Sequence, residues 1–142
     1  MSVGKNTLSL PSQAEIEAAP ESDYMSPRQL AFFRARLCAE RDALVASAKD
    51  TTDTLQKDEA IADPSDRATQ EEGHTLELRV RDRERKQLHR IDEAIARIDD
   101  GSYGYCADTG EPIGIARLLA RPTANFTLVA QERHEMRKKM LG

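Results

Sequence analysis

Cys106, Thr109, Thr127 and Ala130 stand at the spacing of a four-thiolate zinc ribbon. In such a ribbon two cysteine pairs, each with two residues between its members, supply the corners of a tetrahedron around the metal. In the stretch YCADTGEPIGIARLLARPTANFTLVA only Cys106 keeps a thiol; two corners are threonines, which are poor zinc ligands, and one is an alanine. A single thiolate cannot provide the roughly 10 kcal/mol or more that a structural zinc site contributes to folding. No metal is therefore expected. Ile113, Ile115, Leu118, Leu119, Phe126, Leu128 and Val129 are expected to pack in its place, with Thr109 and Thr127 hydrogen-bonding across the former site. Asp108 and His134 are nearby candidates for substitute ligands but are not expected to complete a site. Cys106 reads as a small buried packing residue and Cys38 as seam or flank packing of a helix.

A second cluster is Asp63 and Asp66, two carboxylates at the start of a long polar run. As plain structure they cap a helix; as chemistry, two hard oxygens suit magnesium. The chain shows no nucleophile beside a base and no phosphate-cradling glycine loop. Independent catalysis is not expected.

These residues need elements to hold them. Ser26 is a good N-cap and Pro27 suits the first helical position, and behind them Leu30, Phe33, Leu37, Leu44, Thr51 and Leu55 recur at helical spacing. That helix is predicted to reach about Ile61. A second begins near Asp63–Pro64, carries Leu78, Leu88, Ile91, Ile95 and Ile98 as its apolar stripe, and stops at DDGSYG. The pairs Asp82 with Lys86 and Glu93 with Arg97 have the favourable i,i+4 polarity. Two such helices joined by a handful of residues must lie antiparallel, as a coiled-coil hairpin. Its section RVRDRERKQ is almost wholly polar and must rest on a narrow seam. Glycines and prolines after Gly101 mark a turn-rich knob, and a last helix is predicted near Leu128–Leu141. The expected fold is mainly α: a long antiparallel coiled-coil hairpin over 26–100 with its tip at 62–68, a degenerate zinc-ribbon-like knob over 101–126, and a C-terminal helix over 127–142. Residues 1–25, with Pro11 and Pro20, read as a flexible leader with one short helical turn near SQAEIEAA.

The 142 residues are 32% charged and only 4% aromatic, with no Trp, which argues against a deep spherical core. Lys and Arg number 21 against 25 Asp and Glu. That balance gives no reason to expect binding to DNA or anionic membranes, and a protein partner fits better. No run approaches the roughly 20 apolar residues of a membrane span, and no signal-peptide block is present. A cytoplasmic monomer with free thiols is expected.

DPSDRATQEE, LELRVRDRERK, YGYCADTGEPIGIARL and ARPTANF resemble, in order and spacing, phrases of the DksA family of bacterial RNA polymerase regulators, over roughly residues 24–142. The resemblance implies a factor that enters the polymerase secondary channel, points its tip at the active centre and acts with ppGpp on initiation, for example at ribosomal RNA promoters, without reading DNA bases. Carried over, the tip residues are Asp63, Asp66 and Ala68. Arg90 and Arg121 match the ppGpp-binding positions, and Arg117 a polymerase-surface position. Gln131 replaces a lysine typical of the family and Ala116 a neighbouring basic residue, so a weakened ppGpp response is expected. Family variants with one or no ribbon cysteine look zinc-independent, and the same is expected here. Two alternatives stand beside this reading: a Gre-like transcript-cleavage factor using Asp63 and Asp66, and a coiled-coil scaffold whose tip contacts nothing.

Overall fold

The computed structural model describes residues 10–60 and 67–141. It contains α1 (Gln13–Ala18), a 3-10 turn (Glu21–Asp23), α2 (Pro27–Ala60), α3 (Arg67–Asp100), α4 (Ile115–Ala120) and α5 (Leu128–Leu141). Among the described residues there is no strand, only an isolated antiparallel bridge between Tyr105 and Pro112. No described helix is long and apolar enough to cross a membrane. The chain divides into two compact units: Met1–Cys38 with Glu93–Gly142, and Ala39–Asp92. The sequence partition drew its line at residue 100 instead. The division differs because the first turns of α2 and the last of α3 share a core with the knob, where the Phe33 and Tyr103 rings lie 5.7 Å apart.

α2 starts as its sequence dictates. The Ser26 hydroxyl accepts the Gln29 N–H and the Ser26 carbonyl accepts the Leu30 N–H, so donors of the first turn are satisfied. α3 ends at Gly101, whose φ of 87° only glycine adopts readily; the Arg97 carbonyl then takes the N–H groups of Ser102 and Tyr103. In the 39–92 unit Arg41 bonds Asp92 at 2.8 Å, and Leu44, Ala48 and Thr52 share a hollow with Leu88, Glu84 and Arg81. Higher α2 numbers meet lower α3 numbers, so the helices run antiparallel there. In the other unit Arg34 pairs with Asp99 in the same sense.

Three expectations are corrected. Leu78 is exposed rather than part of the seam, because the buried face of that helix runs through Glu84 and Ile91 at heptad spacing and 78 falls off it. Leu128 and Val129 are more than half exposed; the small Ala130 and Ala124 face inward instead, since Thr127 caps α5 through the Ala130 N–H and so turns that residue toward the knuckle. The leader, expected to be flexible apart from one short helical turn near SQAEIEAA, carries that turn as α1 and is packed rather than loose. Ser12 caps α1 by accepting the Glu15 N–H, Ile16 is 2% exposed, and α1 lies against α4. A six-residue helix is not stable alone; tertiary burial of Ile16 holds it. Farther on, the Tyr24 hydroxyl donates to the Gly104 carbonyl at 2.6 Å and accepts the Gly114 N–H at 2.9 Å. Burial raises the Tyr24 pKa above 10.0, so the donated proton stays in place at neutral pH. Gly104 suits this turn because its φ of 90° strains any L side chain, and a Cβ would in addition push the Met25 side chain aside.

Candidate functional site

The ribbon frame is built by backbone hydrogen bonds. The Cys106 N–H donates to the Glu111 carbonyl at 2.8 Å, the Gly110 N–H to the Cys106 carbonyl at 2.9 Å, and the Ala107 N–H to the Asn125 carbonyl at 2.9 Å. These bonds fold residues 106–111 into a knuckle and tie it to the segment before α5. Cys106 is 3% exposed. Burial alone raises its thiol pKa, but the Thr109 hydroxyl and the backbone N–H groups of Thr127, Thr109 and Asp108 favour the thiolate and bring it down to about 6. The N–H groups around the sulfur thus act as a substitute for positive charge.

The other corners are occupied differently. Thr127 donates its hydroxyl to Cys106 Sγ at 3.9 Å and accepts the Ala130 N–H at 3.2 Å, so it caps α5 while facing the thiol. Thr109 accepts the Glu111 N–H at 3.3 Å. Both threonines turn toward Cys106 and local backbone rather than toward each other. Ala130, 1% exposed, offers no donor atom. Such a set does not fit a zinc ion. Asp108 and His134 bond one another, Oδ2 to Nε2 at 2.7 Å, and the His134 ring lies 4.4 Å from that of Phe126. Among the described residues no group of three or more His, Cys, Asp and Glu side chains is arranged to hold a metal ion.

Leu118 and Leu119 are buried in α4, and this anchors Arg117 and Arg121 one turn apart. Arg117 Nε donates to the Phe126 carbonyl at 2.9 Å, so part of its guanidinium already serves the fold. Arg121 is exposed and ends α4, with its N–H on the Arg117 carbonyl at 2.8 Å. Arg90 is exposed on α3 in the 39–92 unit. There it shares an open hollow with Arg79, Arg83 and Lys86. The spacing of 79, 83, 86 and 90 sets these cations along one helix face, a pattern visible in the sequence that the residue-by-residue reading missed. Asp82 interrupts the row. Lys86 at 3.1 Å and Arg85 at 2.7 Å hold its carboxyl pKa below the ordinary value. Asp63 and Asp66 lie outside the described residues; Ala68 is the second residue of α3.

Two family models match the chain: the N-terminal domain of the DnaK suppressor protein DksA over residues 29–98, and the prokaryotic dksA/traR C4-type zinc finger over 101–135. A Caulobacter vibrioides protein named RNA polymerase-binding transcription factor DksA is 46% identical over 129 residues, covering 90% of this chain and 91% of that one. The Escherichia coli K12 protein of the same name is 44% identical over 125 residues, covering 87% and 82%. The solved structure of transcription factor DksA2 from Pseudomonas aeruginosa superposes with a TM-score of 0.84 at 41% identity, covering 89% of this chain and 98% of that chain.

Proposed function

This chain belongs to the DksA family, and we propose from that membership that it regulates transcription by binding RNA polymerase. The observation that carries the reading is the 46% identity, over nine-tenths of the chain, to a protein named for polymerase binding. The mode of action follows the resemblance. The chain enters the secondary channel, presents Asp63, Asp66 and Ala68 toward the active centre, and works with ppGpp held by Arg90 and Arg121, while Arg117 contacts the polymerase surface. Guanidinium forks suit phosphate oxygens, which supports the two arginines in that role. Gln131 has no charge to offer a nucleotide, so the ppGpp response is weaker than with lysine there. The protein acts as a cytoplasmic monomer, without catalysis of its own and without zinc.

Purified polymerase on a ribosomal RNA promoter, with and without ppGpp, tests this. Inhibition is expected, and Asp66→Asn should abolish it while polymerase binding is nearly kept, because the lost charge acts on the active centre rather than on the docking surface. Equal loss of binding and inhibition would count against a tip mechanism. RNA release from a backtracked complex would replace the regulator reading with cleavage.

A further inference from the structure

The family model that matches residues 101–135 describes a four-cysteine zinc finger, yet three of the four corners here carry no thiol. A metal at those corners would tie two segments: the knuckle holding 106 and 109, and the start of α5 holding 127 and 130. Asp108 and His134 join the same two segments directly, at 2.7 Å. We propose that this pair, with Phe126 stacked on the imidazole, is a side-chain latch that replaces the metal cross-link of the knuckle. The inference rests on the zinc-free reading above.

The geometry suits the role. Asp108 lies between the two knuckle corners, and His134 lies one turn beyond Ala130 on α5. A bond between them fixes the rotation of α5 about its axis, as a metal bridging 106, 109, 127 and 130 would. Phe126 limits the imidazole on one face, with ring centres 4.4 Å apart and planes inclined at 35°. Both partners keep about a third of their side chains in solvent, at 35% and 38% exposure, so the latch is modest in strength. Burial of Leu118, Ile113 and Ala130 carries most of the knob's stability, and the latch sets the orientation.

The experiment is a double-mutant cycle performed with and without a rebuilt metal site. Asp108→Asn and His134→Ala should each lower Tm by about 1–3 °C. The double variant should fall no further than the worse single one. Additive losses, or no loss, would overturn the latch. In a chain carrying Thr109→Cys, Thr127→Cys and Ala130→Cys, one equivalent of cobalt(II) should bind and show the visible bands of tetrahedral thiolate coordination. With cobalt bound, His134→Ala should leave Tm unchanged, since the metal has resumed the cross-link. Failure to bind cobalt, or an undiminished effect of His134→Ala with metal present, would show that the pair does not replace the metal. A chain of native sequence that loses its melting transition in chelator would instead overturn the zinc-free reading.

Discussion

Phe33, Leu37, Ala94, Tyr103 and Leu118 are all but sealed from solvent in the unit that includes the knob, whereas the described part of the 39–92 unit buries Ile91 and the carboxylate-bearing Glu84. The same two helices supply both kinds of seam. In the first unit aromatic and aliphatic groups interlock: Phe33 meets Phe32 edge-on at 5.2 Å and Tyr103 at 5.7 Å, and the Tyr103 hydroxyl donates to the Pro122 carbonyl at 2.7 Å. In the second, Glu40 and Glu77 each hold one carboxylate oxygen shielded from solvent with no hydrogen bond, while Leu76 and Leu78 face solvent. Apolar burial thus concentrates where the knob is built. The remainder of the hairpin depends on helix-forming residues and charge pairs, which stabilise each turn only slightly.

The largest way to break this contrast is Phe33→Ala, which should cost about 3–5 kcal/mol by leaving a cavity beside Tyr103, read by chemical denaturation. A loss near that of an exposed substitution would mean the two seams are equivalent after all. Glu77→Leu works in the opposite direction. Replacing a carboxylate that holds one shielded oxygen without a hydrogen bond by an apolar group should stabilise by about 1 kcal/mol and slow amide exchange within 39–92, leaving the knob amides as they were. Destabilisation would show that the carboxylate supports the seam rather than weakening it.

pH should act on the knob-bearing unit through Cys106. Its folded pKa of about 6 lies below the ordinary 9.0, so ionisation favours the folded state. That contribution is complete above pH 9, shrinks as pH falls from 9 toward 6, and is absent below 6. Subtracting the Tm-against-pH curve of Cys106→Ser from that of the native sequence should isolate this slope; a flat difference would rule out a stabilised thiolate. The smallest effect is electrostatic. Asp92→Asn and Asp99→Asn each remove one exposed pair, with Arg41 and Arg34, and should each change stability by less than about 1 kcal/mol, with neither unit favoured.

Much of this was legible in residue order. Ser26 with Pro27, and Gly101 after the acidic end of α3, marked boundaries the structure keeps, because capping and left-handed termination are local chemistry. The Leu128–Leu141 helix agrees with its expected limits. What escaped notice depends on contacts distant in sequence. The short helical turn near SQAEIEAA was legible, but not that its Ile16 is buried, because that burial depends on α4 about a hundred residues later. Leu128 and Val129 looked like core by hydropathy, but α5 turns Ala130 inward, and helix rotation is set by Thr127 and His134 rather than by apolarity. Residue chemistry picked out Asp63 and Asp66 as capping or metal-binding carboxylates, and only the resemblance gave them a role at the tip; both lie outside the described residues.

Tyr24 reaches partners that follow it by 80 and 90 residues. During synthesis on the ribosome the N-terminal segment must therefore wait until Gly104 and Gly114 have been translated and have emerged. At about 5–20 residues per second that interval is on the order of 5–20 s. Throughout it Ile16 and the phenol lack the partners they hold in the fold, so this segment stays open to proteases and chaperones until those partners arrive.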